Sequence, residues 1–246
     1  MARLRPVTGY ANATDWTKGV AHPDDDGIFR MDVATGQNNL LVSFARLRDV
    51  LSKTHSFVKD TPLFINHTLW NREGDRIFFF ARGGWRKDRA EGERKINQPF
   101  LINPDGNGLV RMKDHIGGHP EWDRNRHMIG ALEDDQVLYD TDRQEIVKPL
   151  GTPTILPHPG GDIALSPDGS WLVNGYRSGG KDAYVFLRLR DGLHVRTAAF
   201  DQHGWTTGDL RNDPAPCWNR DGTQVLFPSI ANDSDKTRQL FLITLE

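Results

Sequence analysis

Four short turns recur along this chain and limit what it can fold into. The segments WNREG, WDRNR, LSPDG and WNRDG begin at Trp70, Trp122, Leu165 and Trp218, so they lie 43 to 53 residues apart. Each joins two short apolar runs, and a turn residue such as Gly74, Gly169 or Gly222 supplies the positive φ that a tight reversal needs. The fullest copy is FINHTLWNREGDRIFFFARGGWR, residues 64–86. It reads as a strand ending at Trp70, a turn, and a buried strand over 77–81 bounded by Gly83 and Gly84. Asn66, His67, Arg82 and Arg86 stand at the strand ends, where they share one rim. Each inner hairpin is followed by an outer one with its own turn.

A period of about 40–50 residues carrying about four strands is the pattern of a β-propeller blade. A β-sandwich gives no reason for inner and outer hairpins to alternate at a fixed period. The chain is therefore read as one all-β domain over 1–246, about four and a half blades of four antiparallel strands. A long loop spans 1–26. A partial blade follows over 27–59, with strands at 27–32 and 39–44 and a short helix at 44–54. Full blades occupy 60–116, 117–159, 160–209 and 210–246. The last is one strand short, and the first lacks its inner half. A ring that does not close leaves bare sheet edges. Either the ring closes in an irregular way or, the reading favoured, the chain is part of a longer, seven-bladed ring, whose bare edges are open to a partner in an oligomer.

Composition narrows the function classes. With 37% hydrophobic and 26% charged residues the chain can bury a core. A net charge of −2 with no long run of one sign argues against a basic nucleic-acid face. The single cysteine, Cys217, excludes an internal disulfide and a cysteine-based zinc cage. Beside Trp218 in a strand, it is expected to be a packed core thiol. No apolar run reaches the roughly 18 residues of a membrane span. The first residues lack the apolar segment of a signal peptide, so a cytoplasmic chain is expected. There is no G-x-S-x-G nucleophile elbow and no phosphate loop.

The segments GIFRMDVATG, INHTLWNREGDRIFFFARGGW, GGDIALSPDGSWLVNGY and RNDPAPCWNRDGTQVLF resemble the TolB-like, WD40-like propellers. More narrowly, they resemble the oligogalacturonate lyase type of seven-bladed propeller. The opening ARLRPVTGYAN resembles an internal loop of that family, which implies that its N-terminal blades are missing here. The resemblance implies cleavage of an acidic, uronate-containing oligosaccharide by β-elimination. That chemistry needs a base for the C5 proton, a cation to stabilise the enediolate-like transition state, and a proton for the leaving oxygen.

The resemblance also implies which residues fill those roles. His67 and His119 match histidines at blade starts, and Arg82 matches a charged residue at an inner-strand exit. These three are the candidate catalytic residues. Trp85 offers a stacking face for a sugar. Arg86 and Arg211 are placed to hold carboxylate, and Tyr176 and Arg177 to contact substrate. The family's manganese-type site draws histidines from GHxxxSPDG and HPxWSxDG units. Asp162 and Asp213 stand near those positions here, and Ala215 cannot ligate. Two aspartates suit a hard cation such as Mn²⁺, Ca²⁺ or Mg²⁺. Aspartates also cap strands and turns. His158 and His203 are expected at the surface.

Three functions stay open. The first is a lyase with the residues above. The second is a non-catalytic propeller serving as a glycan- or protein-binding scaffold. The third is a fold that persists without a working site.

Overall fold

Three of the four recurring turns are built by one device, a side-chain oxygen that caps the backbone of the returning strand. Asn71 Oδ1 accepts from the N–H groups of Asp75 and Arg76, both at 2.9 Å. Asn219 Oδ1 does the same for Thr223 and Gln224, at 3.0 and 2.9 Å. In the LSPDG copy Ser166 Oγ accepts from Trp171 N at 2.9 Å. These bonds satisfy donors that a reversal would otherwise leave open. A computed structural model describes residues 17, 19–84, 94–208, 210–231 and 236–245. It is 46% strand and 6% helix, an all-β chain of the expected kind. Residues 1–16 and 18 of the loop predicted over 1–26 lie outside the described residues. Two compact units divide the chain, 1–115 and 116–246.

In the first unit β1 (Gly27–Met31) and β2 (Asn38–Ser43) form an antiparallel pair. Helix α1 (Phe44–Ser52) follows at once. Ser43 caps it by accepting from Arg46 N, and the helix buries Phe44, Leu47 and Leu51 along one stripe. After a 3₁₀ turn at Ser56–Asp60 comes a four-stranded sheet. Its order is β3 (Leu63–Trp70), β4 (Ile77–Gly83), β5 (Ile96–Ile102) and β6 (Val110–Arg111). The continuous apolar run in β4 is explained by burial on both faces. Ile77, Phe79 and Ala81 join the cluster around β2 and α1, while Phe78 and Phe80 are buried on the other side. Phe79 stacks on Phe100 with ring centres 5.5 Å apart.

The second unit holds three sheets of blade type. The first runs β7 (Gly117–Trp122), β8 (His127–Leu132), β9 (Asp135–Asp140), β10 (Glu145–Pro149). The second runs β11 (Asp162–Leu165), β12 (Trp171–Ser178), β13 (Lys181–Arg188), β14 (His194–Arg196). A short β15 (Phe200–Asp201) also pairs with β13. One outer strand over 194–200 was expected. It is broken because Thr197 turns its hydroxyl to accept the Tyr184 N–H at 3.1 Å, in place of a backbone carbonyl. The third sheet is β16 (Cys217–Trp218), β17 (Gln224–Ile230) and β18 (Arg238–Thr244).

Within each of these sheets neighbours are antiparallel. The innermost strands β7 and β11 meet through one parallel pair, His119 with Asp162. Apolar side chains fill the spaces between successive sheets. Ile129, Leu138, Leu172 and Val185 sit in one layer; Val173, Tyr184, Phe186, Val225 and Phe227 sit in the next. At roughly 1.5–3 kcal/mol for each large side chain, these layers supply the main force that stacks the sheets.

Cys217 is a correction. It is exposed, not packed in the core. Its cross-strand partner is Leu226, and both lie on the face of the third sheet turned away from the second. Trp218 takes the inward position beside it, pairing with Val225.

The LSPDG turn carries a pH-dependent element. Asp168 accepts from Ser166 Oγ at 2.6 Å, Ser170 N at 3.0 Å and Ser170 Oγ at 2.7 Å. Those bonds favour the ionised carboxyl and hold its pKa down at about 2. Because the folded value is depressed, this stabilisation is present above the usual carboxylate range. It is lost as pH falls from the unfolded value of 3.8 toward about 2. Solvent around the turn keeps the effect small. Carboxyl NMR titration should place Asp168 well below the ordinary aspartate value, and Ser166→Ala should move it back up.

Candidate functional site

Two groups of polar residues assemble, one in each unit. In the first unit Phe80 is the platform. His67 meets it edge-on at 5.7 Å between ring centres, and the Arg82 guanidinium lies over it at 4.7 Å. His115 tilts against the same ring at 5.3 Å. Arg82 Nε donates to Asn97 Oδ1 at 2.7 Å, and Asn97 Nδ2 lies 3.2 Å from His115 Nε2. His67 has a positive φ of 53°, at the point where β3 slips its register against β4. That irregularity turns its ring toward Phe80. Partial burial, and then the Arg82 charge, hold the His115 imidazole below its ordinary range. Burial also lowers Arg82. The rim seen in the sequence thus brings His67 and Arg82 together. His115 escaped the sequence reading, although it stands just ahead of the blade start at Gly117. Trp85 and Arg86 lie outside the described residues.

The second unit contains an open cavity of about 520 Å³ at the inner end of its first two sheets. His119, Asp162, Tyr176, Arg177 and Asp213 all line it, so five of the predicted residues meet there. Their placement follows from the strands. His119 and Asp162 are the parallel pair between β7 and β11, and His119 Nδ1 touches a carboxylate oxygen of Asp162. The other Asp162 oxygen accepts from Ala215 N at 3.0 Å. The close approach depends on glycine. A Cβ on Gly118, whose φ is 72°, would sit 2.8 Å from the Gly160 Cα. A Cβ on Gly175 would meet Pro214 Cβ at 2.8 Å and the Tyr184 ring at 2.9 Å.

His158 also lines the cavity. It is exposed, as expected, and its ring lies 4.8 Å from that of Tyr176 at 34°. Its loop is held by Asn174, which donates to the His158 carbonyl at 3.1 Å. The exposed His158 ring thus lies against the largely buried Tyr176 ring, which packs with Ile163, Leu172 and Ala183. Arg177 forms a two-point ion pair with the fully buried Asp182, at 2.7 and 3.0 Å. It also donates to the carbonyls of Thr206 and Asn212. Arg211 is bound to Asp213 at 2.7 Å.

Charge separates this site from the expected one. Four carboxylates, Glu133, Asp134, Asp162 and Asp213, line the cavity against one guanidinium, Arg177. Protonating both His119 and His158 would still leave the carboxylates in excess. Arg211, expected to hold a substrate carboxylate, and Arg177, expected to contact substrate, are both already paired with protein carboxylates.

The donor set also fits a hard cation poorly. Both Asp162 oxygens meet protein groups, and Asp213 is bound to Arg211. Among the described residues no group of three or more His, Cys, Asp or Glu is arranged to hold a metal. Among the described residues no helix is long and apolar enough to cross a membrane.

No protein-family model matches the chain, and no curated protein matches it in sequence. Solved structures do match in fold. An oligogalacturonate lyase from Vibrio parahaemolyticus superposes with a TM-score of 0.57 at 16% identity, over 89% of this chain and 54% of that one. TolB from Acinetobacter baumannii superposes with a TM-score of 0.53 at 13% identity, over 88% of this chain and 45% of that one. The chain thus spans about half the length of these structures. The fold is that of a TolB-like β-propeller, and at such identities the likeness carries no further than the fold.

Proposed function

We propose that this TolB-like propeller chain is a carbohydrate-binding module whose site is the cavity around Tyr176 and His158. The ligand is a glycan presenting neutral hydroxyl groups. The observation that carries this reading is the charge of the lining, four carboxylates against one guanidinium already held by Asp182. A uronate brought into such a site meets like charge, while Glu133 and Asp134, which also line it, are placed to accept from sugar hydroxyls. The exposed His158 ring, backed by the largely buried Tyr176 ring, supplies a face for the apolar side of a sugar ring.

The test is a glycan array carrying neutral and uronate-containing oligosaccharides, followed by calorimetry on any ligand retained. Neutral chains should be retained, and His158→Ala, which removes the exposed ring, should weaken binding about tenfold or more, roughly 1.4 kcal/mol. Retention of the uronate chains alone would overturn the reading.

One contact favours a second function. His119 is held by Asp162 at the cavity wall, as an imidazole acting as general base is commonly oriented. In a lyase acting on an acidic oligosaccharide it would take the C5 proton. That reading expects oligogalacturonate to yield unsaturated product, seen by ultraviolet absorbance. Activity would be largely lost in His119→Ala. His67 and Arg82 belong to the separate group around Phe80, and the same assay on His67→Ala tests their part.

A further inference from the structure

The apolar layer between the first two sheets of the second unit holds a polar pair. Gln136 on β9 and Asn174 on β12 are 2% and 1% exposed. Alternation puts Gln136 on the face of Leu138, and Asn174 on the face of Leu172 and Tyr176. Asn174 Nδ2 donates to Gln136 Oε1 at 3.3 Å and to the His158 carbonyl at 3.1 Å. A carbonyl only accepts, so the nitrogen must face His158 and the oxygen must face away. Asn174 Oδ1 and Gln136 Nε2 are thereby left buried without a hydrogen-bond partner. A Cβ on Gly161 would come within 2.4 Å of that oxygen, so the amide fits because residue 161 is glycine. Orphaned amide atoms in a core are costly, and apolar side chains of like shape would fill the layer at less cost. The buried Gln98 shows the contrast. Its amide donates to the carbonyls of Pro99 and Met112 and accepts from Arg111. Core stability therefore gives no reason for Asn174, whereas its bond to the His158 carbonyl does.

We infer that Asn174 is a positioning residue for the glycan site, acting through the His158 backbone to set the exposed ring against Tyr176. This rests on the carbohydrate-binding reading above. The segment needs such an anchor, because His158 stands between Pro157 and Pro159, and neither has an N–H to donate. The His158 carbonyl takes a second bond from Gly161 N at 3.0 Å. With the carbonyl held on both sides, the ring stands 4.8 Å from that of Tyr176 at the cavity wall. Asn174 touches no ligand. It fixes where the ring that does so is found, and the orphaned amide atoms are the cost in stability of doing it.

The experiment compares the full chain with Gln136→Met and with the double variant Gln136→Met, Asn174→Leu. Three readouts are taken: urea unfolding, the NOE between the His158 and Tyr176 rings, and calorimetric affinity for a neutral oligosaccharide retained by the parent. The double variant should unfold at the parent's urea concentration or above it, because no orphaned amide remains. It should lose the ring NOE and bind about tenfold or more weakly. Gln136→Met should keep both, since the bond from Asn174 to His158 is intact. Gly161→Ala drives a Cβ into Asn174 Oδ1 and should also lose the NOE, which keeps the test decisive if the double variant does not fold. A parent that binds no neutral glycan overturns the carbohydrate reading, while the NOE still reports whether Asn174 places the ring. The inference is overturned if the NOE survives in the double variant, the mark of a merely structural residue. It is equally overturned if Gln136→Met alone abolishes the NOE, or if the NOE is lost and affinity is unchanged.

Discussion

Replacing Asp182 by alanine is expected to be among the most damaging single changes in the second unit. Asp182 is fully buried and pairs with Arg177 through both carboxylate oxygens. The two residues are cross-strand partners on β12 and β13, so the pair spans the hairpin. Arg177 then reaches the carbonyls of Thr206 and Asn212 and so ties down the segment leading to Asp213 and Pro214 at the cavity. Removing Asp182 leaves a largely buried guanidinium with neutral acceptors only. Loss of one partner from such a pair destabilises by about 3–5 kcal/mol. Urea unfolding should register that loss. The double change Arg177→Met with Asp182→Leu should recover much of it, because no charge is then left uncompensated.

The same aspartate has an opposite pH signature to Asp168. Burial raises its pKa, and the bonds from Arg177 act against that rise. A carboxyl whose folded pKa is raised is favoured when protonated, so the cost of burying its charge returns as pH rises through that value. Acid should therefore weaken the Asp168 turn while relieving the burial cost at Asp182.

Tyr184→Ala is the second large effect. The ring is fully buried where the second and third sheets stack, with Phe227 at 4.6 Å and Phe200 at 6.1 Å between centres. Its hydroxyl donates to the Pro214 carbonyl at 2.9 Å, which anchors the strand approach to the cavity. Truncating a large buried aromatic destabilises by about 3–5 kcal/mol, from lost burial and the cavity left behind. Tyr184→Phe keeps the packing and removes only the hydrogen bond, a loss of about 1–3 kcal/mol with the buried carbonyl left unsatisfied. Thermal or urea unfolding of the two variants separates the contributions. A Phe variant as unstable as the Ala variant would show that the bond to Pro214, not the ring, holds the sheets together.

The candidate site was only partly legible in advance. His67 and Arg82 were placed on one rim from their positions at strand ends, and they do share the Phe80 ring. His119 and Asp162 were named from separate blade starts, and the parallel pairing of β7 with β11 puts them side by side. His115 and His158 went unrecognised as members of these groups. Each reaches its ring partner through a loop bend that no strand period encodes. Asp182 and Asn174 were missed for a different reason. A polar residue in an apolar strand gives no sign of which buried partner it will find.

The sequence alone determined the architecture, because local chemistry repeats. Asn71, Ser166 and Asn219 each cap a reversal from within a few residues, and apolar periodicity on either side sets the strands. Those forces act over short separations, so period and turn type could be read directly. Only the tertiary structure decided which face of each strand is covered and which charges meet. Cys217 and Trp218 are neighbours in sequence, yet one is exposed and the other packs inward, because stacking covers one side of their sheet. Arg177 reads as a substrate grip until Asp182 arrives beneath it from the next strand. Burial and ion pairing depend on groups far apart in the chain or across a hairpin, and the charge balance of the cavity is settled there.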